Sequence, residues 1–183
     1  MSALIDRIRP EQTRSRILFD CGAIGLGSLF IALMAQLSVP LWFTPVPITL
    51  QTFAIMLLAA ILGKKQALLA VACYLVEGAC GLPVFASFTG GIAKLMGPTG
   101  GYLLAFLPAV YVTATLLEKG ARKNIFTLMA TFTLATLILF ACGASQLAYF
   151  VGISNAFFMG VYPFLPGAVI KIVALTFMVR SVK

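Results

Sequence analysis

The feature that most constrains this chain is that its few charges lie in short segments between long apolar ones. Of the 183 residues, 61% are hydrophobic and 10% are charged, whereas about 25% of the residues in a soluble domain are charged. A membrane-spanning helix needs about 20 mostly apolar residues, so this length allows about six crossings with short connections. The sequence therefore predicts an all-α integral membrane protein without a separate soluble domain.

The order of the apolar segments predicts one transmembrane domain over residues 1–183. Residues 1–20 are predicted to form a basic, amphipathic arm on the cytoplasmic side. A long structured loop is predicted on the extracellular side, between the third and fourth helices, at residues 80–102. The six predicted transmembrane helices cover roughly 21–39, 49–62, 66–79, 102–117, 125–142 and 160–179.

The basic residues predict which side of the membrane each connection occupies. With the N-terminus inside, the arm, the turn after the second helix, the loop after the fourth and the tail carry four, two, three and two basic residues, which is eleven of the thirteen. Cytoplasmic segments carry an excess of Lys and Arg, so both termini are predicted to be cytoplasmic, in the cytoplasmic or inner membrane. This topology accounts for the net charge of +8 without any binding of nucleic acid.

Three charges do not fit this distribution: Glu77, Lys94 and Lys171. A charge in the hydrocarbon region is costly, and such residues usually face a cavity or pair with one another. We therefore predict a small cavity, open to the outside, that holds an anionic or strongly polar ligand. The alternatives are a structural ion pair between Glu77 and Lys171, and a Lys94 side chain that merely extends to the membrane interface.

The loop at residues 80–102 has the composition of a lid over a ligand. Gly90 and Gly91 permit positive φ angles and close backbone approach. Non-helical backbone at membrane depth is tolerated only where it is buried or lines a cavity. Phe85 is predicted to cover the apolar part of a ligand, and the alternative is a structured loop without a ligand.

The sequence argues against catalysis. It contains no histidine, which excludes Ser–His and Cys–His nucleophiles and imidazole metal ligands. A rhomboid-type intramembrane protease is excluded as well, because it needs a Ser–His pair. Its four cysteines show no CxxC spacing, and there is no G-x-x-x-x-G-K-[ST] loop for ATP. We expect no enzymatic activity, no metal and no cofactor.

Four segments resemble the BioY family. They are VPITLQT at 46–52, GLPVFA at 81–86, GGIAKLMGPTGGY at 90–102 and PFLPGAVIK at 163–171. Members of that family are the biotin-binding S components of energy-coupling-factor (ECF) transporters. The resemblance implies a six-helix fold that captures biotin from outside and pairs with a transmembrane coupling subunit and two ATPases. A transport subunit for another small anionic vitamin, or a structural membrane protein without a ligand, remains the alternative.

The resemblance also implies a binding site. A lysine suits the biotin carboxylate, and polar side chains suit the ureido ring. The predicted substrate-binding residues are Lys171, Lys94, Glu77, Thr49, Gln51, Phe85, Gly91, Tyr102 and Asn155. The family usually has an acid three residues before this lysine, where this chain has Ala168, so Lys171 needs another partner, either the ligand carboxylate or Glu77.

Small residues recur at four-residue spacing in the first predicted helix. Such faces let helices approach closely, either within the chain or on another subunit. The resemblance favours contact with the coupling subunit, with lipid around the remaining surface. The predicted docking residues are Ala23, Gly27, Ala32 and Ala35.

Overall fold

The protein is mostly helical. The computed structural model describes Ile5, Pro10 and residues 13–181. Its α-helices are α1 (Thr13–Gln36), α2 (Gln51–Ala79), α3 (Ile92–Met96), α4 (Gly100–Leu104), α5 (Phe106–Glu118), α6 (Ile125–Val151), α7 (Ile153–Gly160) and α8 (Leu165–Ser181). Two short strands, β1 (Ser38–Val39) and β2 (Ile48–Thr49), pair antiparallel in register Ser38 to Thr49 and bring the ends of the first loop together.

Several helical stretches of the described residues are long and apolar enough to cross a membrane. There are five of them: Arg14–Gln36, Gln51–Ala79, Gly100–Glu118, Ile125–Val151 and Ile153–Ser181. The number is five and not the predicted six because the predicted second and third helices form the single stretch α2.

The first helix has other bounds than the predicted 21–39. α1 begins at Thr13 and ends at Gln36, so residues 13–20 belong to the first helix, and that helix stops before residue 39. Residues 1–4, 6–9 and 11–12 of the arm, and 182–183 of the tail, lie outside the described residues.

α2 reverses direction at one residue. Gly63 has φ 76° and ψ −179°, a backbone conformation that is essentially restricted to glycine. The Gln51 side chain donates a hydrogen bond to the Tyr74 hydroxyl, although 23 residues of continuous helix would separate them by about 35 Å. The chain therefore folds back at Gly63, where the sequence predicted a tight turn.

The fourth predicted helix is interrupted near its start. α4 and α5 meet at Ala105, whose backbone stays close to helical at φ −66° and ψ −13°. Pro108 has no N–H to donate to the carbonyl of Leu104, four residues earlier, so the ladder of hydrogen bonds cannot continue there.

α6 is longer than the sequence predicted, because it continues beyond residue 142 to Val151. Contacts with the long loop stabilise this added part of the helix. The Gln146 amide donates to the carbonyls of Leu95 at 3.0 Å and Gly97 at 2.8 Å. At 27 residues the helix is about 40 Å long, which exceeds the roughly 30 Å of a bilayer's hydrocarbon core. One end of α6 therefore supports the long loop.

The sixth predicted helix, at 160–179, is the shorter α8, and it begins at Leu165. The 3₁₀ turn Tyr162–Phe164 separates α8 from α7. Pro163 and Pro166 explain the break, because they have no N–H to donate to the carbonyls of Met159 and Tyr162, four residues earlier.

Side-chain contacts sort the connections into two groups at opposite ends of the bundle. At one end, the Lys64 backbone N–H donates to Glu118 at 3.2 Å, which joins the Gly63 reversal to the end of α5. At the other end, Thr44 donates to the carbonyl of Met159 at 2.9 Å, which joins the first loop to α7. The core between the two ends is apolar and contains fully buried Phe132.

Candidate functional site

A cavity of about 250 Å³ opens at the end of the bundle where the long loop lies. Its walls come from the first loop, the start of α2, the long loop, α4, the middle of α6 and the start of α8. Most lining side chains are apolar. Among the described lining residues only Lys94 and Lys171 are charged, and none is acidic. A small apolar pocket with a few polar groups is typical of small-molecule sites, and this one favours an anion.

Lys171 reaches into the cavity from α8. Its Nζ donates to the carbonyl of Thr49 at 2.5 Å and to the Thr52 hydroxyl at 3.1 Å. No carboxylate pairs with it among the described residues. Ala168, one turn earlier, also lines the cavity. The ammonium is therefore held by neutral oxygens and keeps its charge available for a ligand.

The polar wall beside Lys171 is an ordered network at the start of α2. The Thr49 hydroxyl donates to the Gln51 side-chain oxygen at 3.0 Å, and the Gln51 amide nitrogen donates to Tyr74. The Tyr74 hydroxyl then donates to the Val84 carbonyl at 3.2 Å. Thr49 and Gln51 line the cavity as predicted, whereas Tyr74 lies behind this wall and is fully buried.

The long loop contributes the other wall. Phe85 lines the cavity and is 2% exposed. Its ring packs edge-on against Tyr74 with centroids 5.5 Å apart, and over Gly78, where a Cβ would lie 2.1 Å from the ring. Lys94 also lines the cavity, and its side chain is exposed at the rim.

Tyr102 joins the cavity wall to the long helix behind it. Its hydroxyl donates to the carbonyl of Gly160 at 2.7 Å, and its ring lies against Gly143, where a Cβ would be 2.2 Å from ring carbons. Glycine is equally required at Gly101, where a Cβ would lie 2.5 Å from the carbonyl oxygen of Cys142. The glycines beside Tyr102 therefore serve close packing of α4 on α6.

Three of the predicted site residues lie away from the cavity. Glu77 accepts from the Ser28 hydroxyl at 2.5 Å and from the Cys73 thiol at 3.2 Å, so the alternative of a Glu77–Lys171 ion pair is wrong. Gly91 precedes α3 with φ +93°, which is the positive φ its residue type predicts. Asn155 is exposed and donates to the carbonyl of Val151, the last residue of α6.

The predicted docking face of α1 is largely turned inward. Gly27, Ala32 and Ala35 are buried, and a Cβ on Gly27 would lie 2.9 Å from the Cβ of Ala70. These three positions match the alternative of packing within the chain. Two of the four, Ala23 and Gly27, also line an apolar groove formed by α1 and the first half of α2.

Two glutamines that the sequence did not single out hold the long loop. Gln146 binds its carbonyls from α6, and Gln36 at the end of α1 binds Val84, Phe85 and Phe88. A glutamine in an apolar helix does not show in the sequence which loop it will hold, because its partners are backbone groups far away in the chain. Thr52, which binds Lys171, was missed for the same reason.

Comparisons with known proteins agree with one another. A profile of the BioY family matches residues 11–183. The "Probable biotin transporter BioY" of Pyrococcus horikoshii is 40% identical over 151 residues, covering 81% of this chain and 88% of that protein. The "Biotin transporter BioY" of Thermotoga maritima is 39% identical over 160 residues, covering 87% of this chain and 92% of that protein.

A solved structure is similar as well. The crystal structure of the S-component for biotin from an ECF-type ABC transporter matches with a TM-score of 0.82 at 28% identity, and the match covers 93% of each chain. The profile match, the two relatives and this structural match all extend over most of the chain, and from them we conclude that this protein belongs to the BioY family.

Proposed function

We propose that this protein binds biotin with high affinity at the extracellular side of the cytoplasmic membrane and serves as the substrate-specific subunit of an ECF transporter. The observation that carries the proposal is the apolar cavity whose only charged lining groups, among the described residues, are Lys94 and Lys171. The relatives named as biotin transporters and the similar S-component for biotin support the choice of ligand.

The cavity chemistry suits biotin in three respects. Its apolar walls, including Phe85 and Phe140, suit the bicyclic body. Lys171 suits the carboxylate, because no acid among the described residues competes for its ammonium. Thr49 and Gln51 supply hydroxyl and amide groups, and a ureido ring that both donates and accepts hydrogen bonds can use them.

We propose six membrane crossings with both termini in the cytoplasm. The reversal at Gly63 makes two crossings of α2, and the bond between Gln51 and Tyr74 supports this arrangement. The Gly63 turn and the end of α5 share one end of the bundle, and both are followed by basic residues, as cytoplasmic segments are. The long loop and the cavity then face outward.

We propose further that energy for uptake comes from partners, a transmembrane coupling subunit and two ATPases. The chain has no phosphate-binding loop of the Walker type, which supports this division of labour. The coupling subunit would contact α1, where Ala23 and the neighbouring exposed Leu26 line the open groove.

Thermal unfolding of the purified protein in detergent tests the choice of ligand. Biotin at a hundred times its dissociation constant should stabilise the fold by about 2.7 kcal/mol, seen as a higher midpoint temperature. Other small anionic vitamins serve as controls. If only another vitamin raises the midpoint, that vitamin and not biotin is the ligand. If no vitamin raises it, the result supports a structural protein without a ligand.

A further inference from the structure

The part of the long loop that walls the cavity has an unfavourable backbone. We refer to Val84–Thr89 as the lid segment, and its residues Phe85, Ala86, Ser87 and Thr89 line the cavity. Ser87 has φ 59° and Phe88 has φ 54°. Left-handed backbone is strained for residues that carry a Cβ, and two in succession need support from their surroundings.

Part of that support is local, from the Thr89 hydroxyl, which donates to the Ala86 carbonyl at 2.9 Å. The rest comes from one side chain at the end of α1. The Gln36 side-chain oxygen accepts from the backbone N–H of Phe88 at 2.8 Å. Its amide nitrogen donates to the carbonyls of Phe85 at 3.1 Å and Val84 at 3.4 Å. Gln36 thus binds the N–H of Phe88, within the strained pair, and two carbonyls that precede the pair, although it does not itself line the cavity.

The backbone carbonyl of Val84 connects Gln36 to Lys171 through a series of hydrogen bonds. Val84 accepts from Gln36 and also from the Tyr74 hydroxyl at 3.2 Å. Tyr74 accepts from Gln51, which is bonded to Thr49, and the Thr49 carbonyl accepts from Lys171. Hydrogen bonds therefore run without a gap from the cavity, through the start of α2 and the lid segment, to the end of α1.

We infer that Gln36 is a positioning residue that holds the lid segment closed over the bound ligand and thereby slows its release. The inference rests on the proposed function, since it takes biotin as the ligand. Gln36 is the last residue of α1, so a displacement of α1 would break its bonds to the lid segment directly. Release of the ligand is thereby tied to the position of α1.

The first test needs no ligand. We expect backbone amides of the lid segment to exchange hydrogen for deuterium faster in Gln36→Met than in the parent protein, because methionine has the size of glutamine but no amide. Gln66→Met is the matched control, since Gln66 is a buried glutamine at the opposite end that donates to Asp20. Equal lid exchange in parent and Gln36→Met would overturn the inference whatever the protein binds.

The second test follows release of labelled biotin from protein in detergent after dilution into unlabelled biotin. We expect Gln36→Met to release biotin about tenfold faster, a change that corresponds to about 1.4 kcal/mol, while Gln66→Met keeps the parent rate. Gln36→Glu retains an acceptor for the Phe88 N–H but no donor. Its release rate should therefore lie between that of the parent and that of Gln36→Met.

The outcomes separate this inference from the proposed function. If the parent protein fails to bind biotin, the proposed function is refuted, and the exchange experiment still decides the role of Gln36. If the parent binds and Gln36→Met releases biotin at the parent rate, the inference is refuted alone. A Gln36→Met protein with fewer active sites but an unchanged release rate would show a role in folding only, and would also refute it.

Discussion

Replacement of Lys171 by methionine should weaken biotin binding by about 10- to 100-fold. Lys171 is the lining cation that enters the cavity from α8, and neutral oxygens of Thr49 and Thr52 hold its ammonium. A hydrogen bond to a charged group contributes roughly 1.5–3 kcal/mol, and each 1.4 kcal/mol is about a tenfold change in the dissociation constant. Titration calorimetry with purified protein in detergent measures the change.

The matched control is Lys65→Met, which removes an exposed lysine after the Gly63 reversal, at the far end of the bundle. Its dissociation constant should equal that of the parent. Lys94→Met should have the smaller effect of the two cavity variants, because its side chain lies exposed at the rim.

A neutral biotin amide identifies the group that Lys171 contacts. If Lys171 contacts the carboxylate, the parent should bind the amide more weakly than it binds biotin. Lys171→Met should bind biotin and the amide equally, as in a double-mutant cycle. A Lys171→Met protein that still prefers the acid as strongly as the parent does would refute the reasoning. An equal loss of affinity in Lys65→Met would refute it as well.

Two further predictions concern packing and topology. Gly143→Ala should lower the thermal unfolding midpoint, because its Cβ would lie 2.2 Å from the Tyr102 ring. Overpacking of this kind lowers the free energy of unfolding by about 1–3 kcal/mol. Gly22→Ala, on the open face of α1, should leave the midpoint unchanged or raise it. Similar midpoints for both variants would contradict the packing of α4 on α6. In a protein without its natural cysteines, Trp42→Cys should react with an impermeant thiol reagent in intact cells, since that side chain is 97% exposed, and Lys65→Cys should react only after lysis. Reaction of both in intact cells would contradict six crossings.

Sequence reasoning succeeded where one residue type imposes a local conformation. The Gly63 reversal was predicted because glycine followed by two lysines interrupts an apolar run, and the structure shows φ 76° there. Lys171, Lys94, Thr49, Gln51, Phe85 and Tyr102 were predicted as site residues and do line one cavity. Charges and polar groups inside apolar segments are costly, so they stand out in a sequence.

The prediction failed where distant contacts decide the structure. The end of α6 was placed too early because Gly143 and Gln146 interrupt its apolar pattern, yet the ring of Tyr102 and the carbonyls of the long loop complete the helix. Glu77 was assigned to the cavity because it is charged, whereas its partner is Ser28 on α1. No local pattern indicates which backbone group a distant side chain will meet.

The reversal at Gly63 also limits which changes of length this protein can accept. Only that residue leaves helical geometry within Gln51–Ala79, so there is no loop to absorb an added or missing residue. A deletion beside it would turn the following helix by about 100° relative to the preceding one. Tyr74 would then leave Gln51, and Glu77 would leave Ser28. Chains that share this hairpin should therefore keep a constant number of residues between the two helices, even where the residues themselves differ.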